Sequence, residues 1–287
     1  MACPGGQPLN ILAIGAHPDD FDSRAGGAAA LYARAGHRVK FVSLTNGDAG
    51  HHEVSGPGLA ARRHAEAQAA ARVLGLVEYQ ILDQHDGGLA PTLANRREVI
   101  RIIRAFQPDL ILSPRPNDYH PDHRYTALLV QDAAYMVTVP SVVPDVPHLP
   151  GNPTIVYVAD DFRKPTPFAP DVVVAIDEVV QQKLDAMHCH TSQMYEWLPY
   201  NANRLAEVPA DAAGRRAWLA RCRLPAAEAI ANRHRDLLIA LYGRERGERV
   251  RYAEAFEGCE YGTRLTPETI PRLFPFFAVG SEGLARG

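Results

Sequence analysis

Short apolar runs alternate with longer stretches of helical period along this chain. Ile11-Leu12-Ala13-Ile14, Val39-Lys40-Phe41-Val42-Ser43-Leu44, Tyr79-Gln80-Ile81-Leu82 and Leu110-Ile111-Leu112 are short and mostly apolar, as buried strands are. Between them, Gly26 to Gly36 and Ala60 to Gly75 read as small-residue helices, each stopped by a glycine. Arg96 to Phe106 is amphipathic, with Val99, Ile100, Ile103 and Phe106 on one face. Strand followed by helix, repeated, predicts βα units and a parallel sheet.

The order then changes. Residues 140–153 carry five prolines without helical period and read as a loop or lid edge. Ile155 to Val158 and Val172 to Ile176 are further strands, and Val179 to Met187 is a helix. From about Ala210 the pattern is helical, with Trp218, Leu219, Ile230, Leu237, Leu238 and Leu241 as apolar positions. Its arginines interleave with Glu228, Asp236, Glu245 and Glu248, which marks a solvated face rather than a nucleic-acid arm. The expected fold is α/β: a Rossmann-like, mostly parallel sheet flanked by helices, with a helical C-terminal extension. Residues 1–200 form the catalytic unit and 201–287 the extension packed on the same domain.

Composition narrows the class. A chain of 287 residues supports a sizeable core. Lys+Arg 30 against Asp+Glu 33 gives no basic field, so nucleic acid is not an expected partner. No run of about eighteen apolar residues suggests a membrane span, and Met1 to Asn10 lacks a basic, apolar leader. Cys3, Cys189, Cys222 and Cys259 show no CxxC spacing and read as scattered thiols of a reducing compartment, so a cytoplasmic protein is expected.

The chemistry sits at two strand ends. His17-Pro18-Asp19-Asp20 follows the first apolar run, and His120-Pro121-Asp122-His123 follows the fourth. Each places two metal-ligand types three residues apart, so that a helix starting there could carry both on one face. A lone histidine is usually a satisfied polar residue, and a lone aspartate at a helix start is usually an N-cap. Here the groups recur after two strands, where an open parallel sheet forms its ligand crevice. Two histidines and a carboxylate with one position left for water make the ligand set of a catalytic zinc rather than a structural one. Gly26-Gly27 is no dinucleotide fingerprint, because the turn that GxGxxG would fill holds His17 to Asp20. His51, His52, His64 and His85 read as solvated and are not counted as ligands.

Taken together, Ala16-His17-Pro18-Asp19-Asp20, Gly26-Gly27, the Arg63-x-x-Glu66 helix ending at Leu74-Gly75, Asp86-Gly87 and His120-Pro121-Asp122-His123 resemble the PIG-L/LmbE family of zinc-dependent N-acetylglucosaminyl deacetylases. The resemblance spans roughly residues 9 to 200, and Lys183 with His190-x-Ser192-Gln193 fits its later part. Phe21, where the family often has Glu, and the polar Asp22-Ser23-Arg24 depart from it and bear on the substrate.

The resemblance implies a hydrolase that removes the N-acetyl group from an N-acetylglucosamine-type glycoside or conjugate, a small-molecule substrate. His17, Asp20 and His123 would hold Zn2+, and Asp19 would be the general base. His120 would be the acid that stabilises the tetrahedral intermediate and protonates the leaving amine. Asp122 would orient and charge His120, with a helix N-cap as its alternative. Arg63 and Asp86 match sugar-binding positions, with Arg63 paired to Glu66 or a neighbour on an ordinary helix surface as its alternative. Tyr119 and His190 are expected at the pocket, with core packing the alternative for His190. Pocket walls are expected from residues 50–58, 87–95 and 140–153. Self-association into a homo-oligomer is left open. Competing readings are a zinc amidase of a larger sugar conjugate, a noncatalytic sugar-binding protein on the same fold, and a phosphoesterase. The last favours two bridged metals about 4 Å apart, and ligands for only one are present.

Overall fold

The computed structural model describes residues 7–277; Cys3, the start of the N-terminal stretch and residues 278–287 of the extension lie outside the described residues. The chain runs β1 (Asn10–Gly15), α1 (Asp20–Arg34), β2 (Arg38–Ser43), α2 (Pro57–Leu74), β3 (Glu78–Ile81), α3 (Leu93–Phe106), β4 (Leu110–Ser113), α4 (Pro121–Met136), β5 (Thr154–Val158), β6 (Val172–Ala175) and α5 (Val180–Cys189). A π-helix (Ser192–Trp197), α6 (Leu198–Asn201), α7 (Ala212–Arg233), α8 (Arg235–Tyr242), α9 (Arg244–Arg249) and β7 (Ala253–Gly258) follow.

One sheet holds the strands in the order β3-β2-β1-β4-β5-β7-β6. β3 to β5 pair in parallel, with Ile11 opposite Val39 on one side and Leu110 on the other. β1 packs Ile11 and Ala13 into one core layer and Leu12 and Ile14 into the other. Burial on both faces is why its sequence is a continuous apolar run and not an alternation. The chain winds outward from β1 to β3, then returns through α3 to β4 beside β1. The winding reverses between β1 and β4, and a crevice opens there beyond their carboxyl ends.

The C-terminal segment is helical through α9, as its pattern predicts, but then supplies β7. That strand lies antiparallel between β5 and β6, with Val158 and Val172 both opposite Phe256. The extension is thus part of the sheet and not only a helical layer on it. Ala253 and Ala255 are weak strand formers, and Glu254 occupies a buried position where an apolar residue would have signalled a strand.

Glu254 holds α1 together. The helix loses its regular dihedrals at Ala25 (φ −140°, ψ 16°). Glu254 accepts the N–H of Gly27 at 2.9 Å and of Ala28 at 2.7 Å, so a distant carboxylate caps the second half of the helix. Lys183 Nζ neutralises it at 2.7 Å.

The proline-rich segment is not a lid edge. α4 starts at the crevice and runs 16 residues, about 24 Å at 1.5 Å per residue, so residues 140–153 lie at the far end of the sheet. Thr154 N–H there donates to Asp109, just before β4. The buried Arg104 fixes this loop by donating to the carbonyls of Met136, Val137, Val139, Val142, Val143 and Val146. Prolines announced a loop but not the end of the sheet on which it sits. No described helix is long and apolar enough to cross a membrane.

Candidate metal centre

The chain turns sharply after β1. The N–H groups of Asp19 and Asp20 donate to His17 O at 2.9 and 3.3 Å, and Asp20 Oδ2 accepts from Ala16 N at 2.8 Å and His17 N at 2.9 Å. Gly15 makes room for this, since a Cβ there would stand 3.2 Å from Asp20 Oδ2. After β4, His120 is the N-cap of α4, its Nδ1 accepting from Asp122 N at 3.2 Å, with Pro121 in the first turn. Both tetrapeptides therefore straddle a helix start and do not lie along a helix face.

These turns bring three ligand types together. His17 Nδ1 is 3.2 Å from His123 Nε2, and Asp20 is 3.4 Å from His123 Nε2 and 3.9 Å from His17 Nδ1. Donors bound at 2.0–2.1 Å to a tetrahedral ion stand about 3.3 Å apart, so the trio has the spacing of a ligand set. His120 brings its ring nitrogen within 4.8 Å of those of His17 and His123.

Carboxylates stand behind both imidazoles. Asp118 lies 3.0 Å from His123 Nδ1, and Asp86 and Asp122 lie 3.1 and 3.4 Å from His17 Nε2. A carboxylate at the far nitrogen fixes the tautomer whose near nitrogen offers a lone pair to a metal. Burial pulls the His17 pKa down, but Asp122, Asp20 and Asp86 together hold it well above the ordinary value. Burial also opposes the charge on His123, and Asp20 and Asp118 raise its pKa to about 9. Burial raises the Asp20 pKa, yet the positive His123 and His17 take it well below the usual range. Four aspartates around two histidines make a pocket built for a cation, and the residues fit a metal ion.

The surrounding residues depart from expectation in several places. Arg63 is 2% exposed, and its guanidinium is taken by Asp19 Oδ1 at 2.9 Å, Gly47 O at 3.1 Å and Asp86 at 3.5 Å. It therefore positions Asp19 and is not open to a sugar; nor does it pair with Glu66, which instead accepts from Thr191 and Ser192. Gly47, at φ 71°, lets the guanidinium lie against the backbone, since a Cβ there would be 2.5 Å from Nη1. Asp86 is buried and faces His17 and Arg63, so it backs the centre. The Asp122 carboxylate reaches His17 and the N–H of Gly87 at 2.7 Å; its backbone, not its carboxylate, orients His120.

Burial, then the positive His17 and His123, push the His120 pKa down, against the pull of Asp122 and Asp86. With Nδ1 accepting a backbone N–H, the neutral ring carries its proton on Nε2. Tyr119 is 76% exposed on the rim, its ring 6.0 Å from that of His120 and 6.3 Å from Phe162. His190 is fully buried, 3.2 Å from Asp22, which also accepts from Tyr79 OH; it belongs to the interior and not to the pocket. His64 and His85 are exposed, but His51 is enclosed against Glu196 at 2.9 Å. Asp118 escaped the sequence reading, although its place five residues before His123 in a tight turn is a usable signal.

Comparison with known proteins accounts for this arrangement. The family model PIG-L, described as GlcNAc-PI de-N-acetylase, matches residues 12–134, a span containing both tetrapeptides. The chain is 31% identical over 208 residues to a diacetylchitobiose deacetylase of Thermococcus kodakarensis, covering 68% of this chain and 77% of that one. The chain belongs to the PIG-L family. The chain is also similar to a 4-oxalmesaconate hydratase of Pseudomonas putida, 29% identical over 67% of this chain and 76% of that one. In fold, N,N'-diacetylchitobiose deacetylase from Pyrococcus horikoshii superimposes with a TM-score of 0.66 at 24% identity, over 87% of this chain and 83% of that one. The proteins that this chain is similar to thus include some named as deacetylases and one named for hydration.

Proposed function

We propose that this protein is a zinc-dependent N-deacetylase that hydrolyses the acetamide of an N-acetylated amino sugar or its conjugate, giving the free amine and acetate. The observation that carries the reading is the trio His17, Asp20 and His123 at metal-ligand spacing with Asp19 beside it. These three residues would hold zinc, which supplies a Lewis acid and an acidified water. Asp19 is the base: Arg63 grips Oδ1, and Oδ2 has no partner among the described residues. His120, neutral with its proton on Nε2, donates a hydrogen bond to the developing oxyanion. Tyr119 on the rim contacts the sugar or its aglycone. Asp86, Asp118 and Asp122 hold the imidazoles in orientation, and Arg63 holds the base.

We place the chemistry in residues 1–200, with the remainder packed onto it and completing the sheet. Free thiols at Cys189, Cys222 and Cys259 agree with a cytoplasmic setting. A noncatalytic sugar binder has no use for a base fixed by a buried arginine.

The hydratase relative favours a second reading, addition of water to an unsaturated tricarboxylate, which needs the same activated water. Acetate release from N,N'-diacetylchitobiose and from N-acetylglucosamine conjugates, with and without chelator, decides between them. Chelator-sensitive acetate release is expected. Zinc-loaded protein that releases no acetate from any of these but turns over 4-oxalmesaconate sinks the deacetylase reading.

A further inference from the structure

Arg223, on α7, is a guanidinium without an oxygen partner. Its Nη2 meets only the sulfur of Met194 at 3.5 Å, its Nε is buried and unbonded, and no described carboxylate pairs with it. The other enclosed arginines are satisfied: Arg63 by Asp19, Arg104 by carbonyls and Arg115 by Asp160. Five residues earlier on the same helix, Trp218 is 6% exposed and its Nε1 is likewise buried and unbonded. Native proteins rarely leave such donors unmet, because each forfeits its hydration for nothing.

Both side chains line one cavity of about 240 Å³ between α6 and α7, with Leu198, Pro199 and Cys222 as further wall. Arg204 lines it too, its guanidinium 6.0 Å from the Trp218 ring centroid and held at the surface by Glu207. No acidic side chain lines this cavity. Burial depresses the Arg223 pKa, and the charge of Asp19 works against that shift without a described ion pair between the two. A water occupies about 30 Å³ of liquid, so the space admits an oxyanion with a small attached group but not a polymer.

We propose that this cavity is a binding site for a small oxyanion, a carboxylate or phosphate on a soluble metabolite, bound by Arg223, Arg204 and the indole N–H of Trp218. None of the metal-centre residues lines this cavity, although the charge of Asp19 reaches Arg223, and the proposal stands whether or not the deacetylase reading does. Arg223 is the central charge, and a planar guanidinium suits the two-oxygen edge of either anion.

Trp197 and Trp218 are the two tryptophans of the chain, so Trp197→Phe leaves Trp218 as the reporter. Inorganic phosphate, and separately acetate, is titrated into the purified Trp197→Phe protein at constant ionic strength. A saturable change in Trp218 emission is expected with at least one. In the same background, Arg223→Met is expected to weaken that binding at least tenfold and Arg204→Met about threefold. If Arg223→Met fails to fold by circular dichroism, the exposed Arg204→Met decides alone. No saturable change with either anion overturns the site, and so does an unaltered midpoint in the folded variants, which is also the result if phosphate lodges at the metal centre.

Discussion

His17 Nδ1 and His123 Nε2 face each other at 3.2 Å across 106 residues of sequence. Two ring nitrogens at that distance need something between them that both can serve, a shared proton or a shared cation. His123→Ala removes one side and leaves Asp20 and His17 of the trio. Zinc content by elemental analysis is expected to fall from about one per chain to a small fraction, and acetate release with it. Stoichiometric zinc in this variant would take His123 out of the ligand set.

Neighbouring aspartates separate base from ligand. Asp19→Asn is expected to keep its zinc and lose turnover by about 10²–10⁴-fold, the usual worth of general-base catalysis. Asp20→Ala is expected to lose the metal itself, since its carboxylate stands 3.4 Å from His123 and is pinned by two backbone N–H groups. Reversed behaviour of the two variants, measured side by side for zinc and for kcat, refutes the assignment.

Asp118 meets His123 at 3.0 Å through one oxygen and accepts the backbone N–H of His120 at 2.9 Å through the other. Removing the carboxylate behind a ligand histidine typically costs about 10–100-fold in metal affinity. Asp118→Asn is therefore expected to weaken zinc binding by that range in a chelator competition while the fold melts near the wild-type temperature. Equal affinities would mean that the tautomer of His123 is set some other way.

Particular residues show what the sequence disclosed. The two tetrapeptides and the strands before them were legible because turn and strand are written in consecutive residues. Which carboxylate serves which histidine was not, because Asp86 and Asp122 meet at His17 from turns on separate strands. The motif left His190 open between pocket and core, and the packing of α5 on α1 and α2 places it in the core against Asp22. β7 stayed hidden because its central buried residue is the charged Glu254, whose partners Gly27 and Lys183 lie far away in the chain.

The His190–Asp22 pair links stability to pH. Burial lowers the His190 pKa, but the charge and hydrogen bond of Asp22, with Asp19 and Glu66 further off, raise it above the ordinary value. Tyr79 OH meets the same carboxylate. A raised folded-state pKa stabilises fully below the unfolded value, about 6.5, and that contribution disappears as pH climbs through the folded value. Wild-type melting temperature is expected to fall on going alkaline from pH 6.5. Asp22→Asn should be less stable at pH 6 by about 1–3 kcal/mol and flatter above it. Parallel profiles for the two proteins would show that another group sets the slope.

The Glu254 cap also orders events in time. Gly27 receives its hydrogen-bond acceptor from a residue 227 positions later, and a ribosome adding 5–20 residues per second needs about 10–50 s to deliver it. Through that interval the helix that begins with Asp20 lacks the acceptor for the N–H groups of Gly27 and Ala28. A premature stop anywhere before β7 leaves a product holding both histidine turns and lacking the carboxylate that caps the helix following the first of them.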